Sequence, residues 1–144
     1  LINKKIELKK FNSGYFISRQ VLFSRLSLEY FKNTKVKDTN NITKIVHNNT
    51  IKHMRFEPDT HFQAAFGHLI GYGAGYYGYM WSKVFALDLF YEIKKHGLLN
   101  HEIGKVFIDK IIGKGGSKDP NDLLKDFLGR KPNQESFYKD LGFI

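Results

Sequence analysis

Apolar residues recur at steps of three and four positions along most of the chain, which is the spacing of one helix face. After Gly14 this spacing predicts an amphipathic helix that carries Phe16, Ile17, Val21, Leu22, Phe23, Leu26, Leu28 and Phe31. A shorter helix before it is predicted from Leu1, Ile2, Ile6 and Leu8. No segment shows the strict alternation of apolar and polar residues that a half-buried strand requires. The pattern therefore predicts an all-α fold, with residues 1–144 forming a single helical region.

Residues 33–57 depart from this pattern because Asn, Lys and Thr dominate them. Their few apolar anchors are Val36, Ile42, Ile45, Val46 and Ile51. So sparse a pattern is typical of a connecting segment or a weak surface helix. We therefore expect a weakly ordered linker over residues 33–57.

The second half of the chain contains several helix-boundary signals. Thr60 followed by Gln63 has the spacing of a capping box and predicts a short helix that ends near Gly71. A long helix is predicted from about Tyr76 to Lys95, and its apolar residues cover so much of its surface that we expect it to be the central core helix. Later helices are predicted to start at Asn100, at Asp119 with Pro120, and at Pro132.

Composition is compatible with one globular core and reveals a charge asymmetry. The 144 residues are 42% hydrophobic, which is enough to bury a core. The net charge is +9, but residues 1–57 hold 12 basic and 4 acidic side chains, whereas residues 58–144 hold 11 and 10. This concentration of positive charge raises the alternative of a basic helical module that binds nucleic acid or a protein partner. The absence of cysteine excludes disulfides and cysteine-ligated zinc.

One segment is long enough to cross a bilayer. Residues 62–82 contain no Lys, Arg, Asp or Glu, but they hold five glycines and four tyrosines together with His68 and Gln63. Such glycine and polar content makes membrane insertion unfavourable, so we predict no transmembrane span. A signal peptide is not expected, because Lys4, Lys5, Lys9 and Lys10 lie where it would need apolar residues.

Two apparent motifs are discounted from their context. Gly73, Gly75 and Gly78 match the spacing of a dinucleotide-binding loop, but the residues before them predict a helix instead of the required strand. The six histidines are His47, His53, His61, His68, His96 and His101. No pair of them has the H-E-x-x-H arrangement that places two zinc ligands on one helix face, so no metal site is predicted in this chain.

The segment from His68 to Trp81 carries the densest group of chemically useful side chains. It combines His68 with Tyr72, Tyr76, Tyr77 and Tyr79 among several glycines. Tyrosines at such density are often core or interface residues whose hydroxyls find partners. The functional interpretation is a mobile loop that presents phenol and imidazole groups to a peptide backbone and stabilises a developing oxyanion. Both interpretations are open from the residues alone.

Five blocks carry a resemblance to a known family. They are Phe66-Gly-His-Leu69, Tyr72-Gly-Ala-Gly-Tyr-Tyr-Gly-Tyr-Met-Trp-Ser82, the segment 97–100, Gly115-Gly-Ser-Lys-Asp-Pro120 and Phe127-Leu-Gly-Arg-Lys-Pro-Asn133. In this order and approximate spacing they resemble the thimet oligopeptidase family of zinc metallopeptidases, which includes oligopeptidase A and mitochondrial intermediate peptidase. The segment from Gly14 to Gln20 is similar to the family as well.

This resemblance implies the helical C-terminal portion of a zincin-like oligopeptidase that cleaves short peptides. The family binds zinc through an H-E-x-x-H motif and a downstream glutamate, and this chain has neither. The zinc is therefore expected to be bound by an N-terminal portion of the same polypeptide, and the chain alone is expected to be inactive.

The resemblance also implies roles for four residues. His68, Tyr72, Tyr76 and Tyr79 match family positions that contact substrate, and either Tyr79 or Tyr72 matches a tyrosine that stabilises the tetrahedral intermediate. We therefore expect Tyr79 and Tyr72 to be catalytic and His68 and Tyr76 to bind substrate. The expected partners are short peptides and the remaining N-terminal part of the polypeptide. A cytoplasmic location is expected, with an organelle such as the mitochondrion as the alternative.

Overall fold

The computed structural model describes residues 2–8, 11–33 and 36–144, and Leu1 and residues 34 and 35 of the predicted segments lie outside them. Nine α-helices are assigned within these ranges: α1 Ile2–Leu8, α2 Ser13–Phe31, α3 Thr39–Thr50, α4 Phe62–Ala65, α5 His68–Tyr72, α6 Gly78–His96, α7 His101–Lys110, α8 Pro120–Leu128 and α9 Glu135–Leu141. Short 3-10 helices lie at Gly75–Tyr77 and Ile112–Lys114. The described residues contain no strand, which confirms the all-α prediction.

The chain divides into two compact units, Leu1–Met80 and Trp81–Ile144. The boundary falls inside α6, so this helix begins in the first unit and continues into the second. A single helical region was expected from the sequence. None of the helices in the described ranges has the length and apolar character needed to span a membrane.

The core of the first unit forms where α2 and α3 meet the segment that leads to α6. It consists of Leu22, Phe23, Leu26, Val46, Ile51, Phe66 and Tyr76, with Tyr30, Ile42, Phe62 and Leu69 packed around it. Leu26 is completely buried, and the ring of Phe23 stacks on that of Phe62 with centroids 5.1 Å apart. These contacts account for Leu22, Phe23 and Leu26 of the predicted apolar positions, whereas four others are 41% to 52% exposed, namely Phe16, Val21, Leu28 and Phe31.

The expected linker over residues 33–57 is corrected by α3. This helix occupies residues 39–50, and the side chain of Asp38 caps it by accepting a hydrogen bond from the Asn41 amide at 2.9 Å. Val46 and the following Ile51 are each only 3% exposed. A few well-placed apolar side chains are therefore sufficient to fold this polar segment, because the free energy of burying them against α2 outweighs a weak local pattern.

The predicted capping box is also wrong. The Thr60 hydroxyl donates to the Glu57 carbonyl at 2.8 Å instead of capping a helix. The Gln63 amide donates to the side chain of Asn40 at 2.5 Å and to that of Thr39 at 3.3 Å. Both groups have partners outside α4, and the structure has the short α4 and α5 where one helix was predicted.

The second unit confirms the start signals at Asn100 and Asp119, whereas the helix predicted to open at Pro132 begins at Glu135. The Asn100 side chain accepts a hydrogen bond from the Glu102 amide at 2.8 Å at the start of α7, and Asp119 accepts one from Asn121 at 2.8 Å at the start of α8. The buried apolar residues of this unit are Leu123, Leu124 and Phe127 of α8. The predicted central core role of α6 is not observed, because its buried residue is Asp88 while Trp81 is 62% exposed.

Candidate functional site

A tight turn after α5 positions the candidate residues. Gly73 adopts φ 51° and ψ −124°. Residues that carry a Cβ rarely adopt this backbone conformation, whereas glycine adopts it easily. The ring of Phe31 lies 3.7 Å from the place where a Cβ on Gly73 would stand. The chain then passes through the 3-10 helix Gly75–Tyr77 directly into α6. Because of this reversal, α5 and the first turn of α6 lie side by side.

His68 and Tyr79 meet across this turn. The His68 Nε2 atom lies 3.2 Å from the Tyr79 hydroxyl oxygen, and the two rings are nearly perpendicular with centroids 5.6 Å apart. Tyr79 is 53% exposed, so its hydroxyl is accessible to a ligand. A neutral imidazole can either accept from this hydroxyl or donate to it, depending on its tautomer. Whether the Tyr79 hydroxyl donates to His68 or accepts from it therefore depends on the histidine tautomer.

Tyr76 lies beneath this pair and belongs to the core. It is 9% exposed, and its ring centroid lies 5.1 Å from that of His68 and 5.0 Å from that of Tyr79. Its hydroxyl donates to Gln20 Oε1 of α2 at 3.0 Å. Burial raises the pKa of Tyr76 above its ordinary value, so the phenol is neutral and its proton stays available for this hydrogen bond.

Tyr72 is placed differently from the other three residues. It ends α5, is 70% exposed, and its ring centroid lies 5.9 Å from that of His68. The structure therefore brings His68, Tyr76 and Tyr79 into one cluster and leaves Tyr72 at its solvent edge. The Tyr76 hydroxyl is held by Gln20 of α2, whereas the Tyr79 hydroxyl contacts His68 of α5.

Replacing Tyr76 by Phe should lower the free energy of unfolding by about 1 kcal/mol, because the half-buried Gln20 loses its hydrogen-bond donor. Urea unfolding followed by circular dichroism measures this change. Tyr72→Phe is the matched control and should change stability by less than about 0.5 kcal/mol, since Tyr72 is 70% exposed. Equal stability of the Tyr76→Phe variant and the unmodified chain would contradict a structural role for the Tyr76 hydroxyl.

Two polar residues of α2 support the glycine-rich turn, and their role was not predicted. Gln20 holds the Tyr76 hydroxyl, and the fully buried Ser27 hydroxyl is shared between the Ser24 carbonyl oxygen at 3.0 Å and the Ala74 carbonyl oxygen at 3.3 Å. Gln20 falls at the end of the segment that resembles the known family, so the resemblance contained a signal for it. Nothing in the periodicity of α2 pointed to Ser27, because a small residue on a helix has no distinctive pattern.

A second polar cluster was also missed, and it lies in the second unit. Asp88 is 1% exposed and accepts hydrogen bonds from both terminal nitrogens of Arg130, at 2.6 and 2.8 Å. The Asn133 amide and the Ser136 hydroxyl donate to the same carboxylate at 3.0 and 3.3 Å. The block Phe127–Asn133 that resembles the known family thus supplies partners for Asp88.

The described residues hold no group of three or more His, Asp or Glu side chains placed to bind a metal ion. His61 illustrates this, because its Nδ1 atom lies 3.0 Å from the Asn40 side-chain oxygen rather than near another metal ligand. A zinc ion therefore does not fit the donor groups of this part of the chain.

The comparisons with known proteins agree with the helical fold. A family model described as Peptidase family M3 matches residues 1–143. The chain belongs to this family, and the resemblance to thimet oligopeptidase relatives is confirmed.

Individual relatives are about a third identical to this chain over the aligned residues. It is 33% identical to oligopeptidase A of Escherichia coli over 151 residues and 34% identical to saccharolysin of Saccharomyces cerevisiae over 154 residues. It is also 30% identical to thimet-like oligopeptidase of Dictyostelium discoideum over 146 residues. Each alignment covers 99% of this chain but 22%, 20% and 21% of the respective relative. The chain therefore spans about a fifth of the length of these relatives.

Proposed function

We propose that the chain is part of a zinc metallo-oligopeptidase that hydrolyses short peptides. Membership of Peptidase family M3 supports this proposal, and the observation that carries the chain's own contribution is the contact between His68 and Tyr79. The partners are short peptide substrates and the remaining part of the same polypeptide. We place the protein in the cytoplasm, with an organelle as the alternative.

In this proposal Tyr79 donates its hydroxyl to the carbonyl oxygen of the scissile peptide bond. That oxygen gains negative charge when the carbonyl is attacked, so a neutral donor aimed at it binds the transition state more strongly than the ground state. Exposure of Tyr79 and the neighbouring His68 imidazole support the assignment, because the hydroxyl can reach a ligand and keeps its single proton for it when His68 donates from Nε2 to the Tyr79 oxygen. Tyr72, the most exposed of the four, is the second candidate donor.

His68 and Tyr76 complete the proposed substrate-binding surface. His68 can exchange hydrogen bonds with a peptide backbone, since neutral imidazole has one donor and one acceptor. The buried Tyr76 ring supports both His68 and Tyr79 at about 5 Å. When bound, the zinc would supply an activated water for attack on the peptide carbonyl. None of the described residues forms a group placed to hold this ion.

The test is cleavage of an internally quenched short peptide by the intact polypeptide that contains this sequence. We expect cleavage that a chelator abolishes and added zinc restores, while the 144-residue chain alone is inert. An intact polypeptide that cleaves nothing in a broad peptide panel, with zinc present, would overturn the proposed function.

A further inference from the structure

A cavity in the first unit lies between α3 and the segment that follows it. Its volume is about 630 Å³, which falls within the range of small-molecule binding sites. Its lining includes Lys44 and Asn48 of α3 and four residues of the following segment, namely Lys52, His53, Arg55 and Phe56. None of the residues that form the His68 and Tyr79 cluster lines this cavity.

The charge on the cavity wall is positive and uncompensated. Three of its lining residues are Lys or Arg, and none is Asp or Glu. In the described part of the chain, Lys44, Lys52 and Arg55 form no ion pair, whereas Lys32 and Lys95 pair with Glu29 and Glu92 at 2.6 Å. Cations that share one space repel each other, so an anion bound among them is stabilised by all three.

The end of α3 explains part of this arrangement but not all of it. Carbonyl groups at a helix C-terminus attract cations with about half a unit charge, which favours Lys52 and His53 directly after the helix. Three cations exceed this partial charge several-fold. The surplus agrees with the sequence, since residues 1–57 contain 12 basic and 4 acidic side chains and so offer few carboxylates for pairing.

Packing holds the cavity wall in place. The Phe56 ring packs on His47 of α3 with centroids 5.4 Å apart, and His53 packs edge-on against Tyr15 at 5.8 Å. Ile51, at 3% exposure, anchors the same segment in the core. The guanidinium of Arg55 can bind a phosphate or carboxylate through two parallel hydrogen bonds, and the Asn48 amide adds a neutral donor.

We propose that this cavity binds a small polyanion that carries two or more phosphate or carboxylate groups. A small ligand fits better than a nucleic acid strand because the three exposed cations line one pocket instead of following a surface track. This site is independent of the proposed peptidase function, and binding can be measured without any cleavage.

The experiment is calorimetric titration of the zinc-free intact polypeptide that contains this sequence with pyrophosphate and, separately, with citrate at constant ionic strength. Saturable binding of pyrophosphate alone identifies a phosphate ligand, and binding of citrate alone identifies a carboxylate ligand. We expect each of Lys44→Gln, Lys52→Gln and Arg55→Gln to weaken binding by about tenfold, the effect of losing one charge-assisted hydrogen bond. The triple variant should show no binding.

The matched control replaces Lys105, Lys125 and Lys131 by Gln, which removes the same charge from exposed positions that do not line the cavity. Its affinity should equal that of the unmodified chain. Equal affinity of the two triple variants would show that only net charge matters and would overturn the proposal. Absence of saturable binding by either ligand at millimolar concentration would overturn it as well.

Discussion

Asp88→Ala is expected to lower the free energy of unfolding by about 3 kcal/mol. The substitution removes the carboxylate that accepts hydrogen bonds from Arg130, Asn133 and Ser136. Breaking one side of a buried ion pair costs about 3 to 5 kcal/mol, and the lower value applies because the Arg130 side chain is 39% exposed and can recover water. Denaturant unfolding followed by circular dichroism measures the difference.

Two variants separate this effect from a general loss of charge. Asp109→Ala removes an exposed carboxylate of α7 and should change stability by less than about 0.5 kcal/mol. Asp88→Ala combined with Arg130→Met should recover part of the loss, since no unpaired charge remains. If Asp88→Ala is as stable as Asp109→Ala, the polar cluster contributes nothing to the fold.

The same carboxylate gives the stability a pH dependence. Burial acts to raise the pKa of Asp88, but the hydrogen bonds from Arg130, Asn133 and Ser136 outweigh it and hold the pKa below the ordinary value. A lowered pKa in the folded state means that the stabilisation is present above the unfolded-state pKa of about 3.9 and is lost as the pH falls through the folded-state pKa. The difference between the Asp88→Ala variant and the unmodified chain should therefore shrink below about pH 4.

Tyr79→Phe in the intact polypeptide is expected to lower kcat by about 100-fold to 1000-fold with little change in KM. The phenol is proposed to bind the developing oxyanion, and removal of one such donor costs about 2.7 to 4 kcal/mol in the barrier. An interaction made mainly in the transition state lowers kcat and kcat/KM together. Steady-state kinetics on a quenched peptide measures both constants.

Tyr77→Phe provides a control from the same turn. Tyr77 and Tyr79 are 52% and 53% exposed, so the two substitutions remove hydroxyls with similar access to solvent. The Tyr77 variant should retain kcat, and unfolding experiments should show both variants folded. A Tyr79→Phe enzyme with unchanged kcat would refute its role as the oxyanion donor while leaving the family membership intact.

Short-range signals predicted several elements correctly. The apolar spacing after Gly14 predicted α2, and the caps at Asn100 and Asp119 predicted the starts of α7 and α8. Each cap is a hydrogen bond to an amide two residues further on, so it depends little on the rest of the fold. The resemblance to a known family likewise rested on consecutive residues and selected His68, Tyr72, Tyr76 and Tyr79.

Long-range contacts account for what the sequence could not predict. The Tyr76 hydroxyl donates to Gln20, which is 56 positions away in the sequence, and Arg130 donates to Asp88, which is 42 positions away. No local pattern contains such pairs, since they form when separate helices pack. The polar segment around Val46 has the sequence pattern of a linker but folds as α3. The free energy that orders it comes from burial against α2, which is also a long-range contact.

The amino-acid order alone is therefore enough to define the helical class, most helix starts, the chemically useful residues and the excess of positive charge in residues 1–57. These properties depend on spacing and composition, which are local. Tertiary packing places His68 beside Tyr79, buries Tyr76 beneath them, and gathers Lys44, Lys52 and Arg55 around one cavity. These arrangements depend on where the chain reverses and which faces become buried, and both are set by contacts between residues distant in sequence.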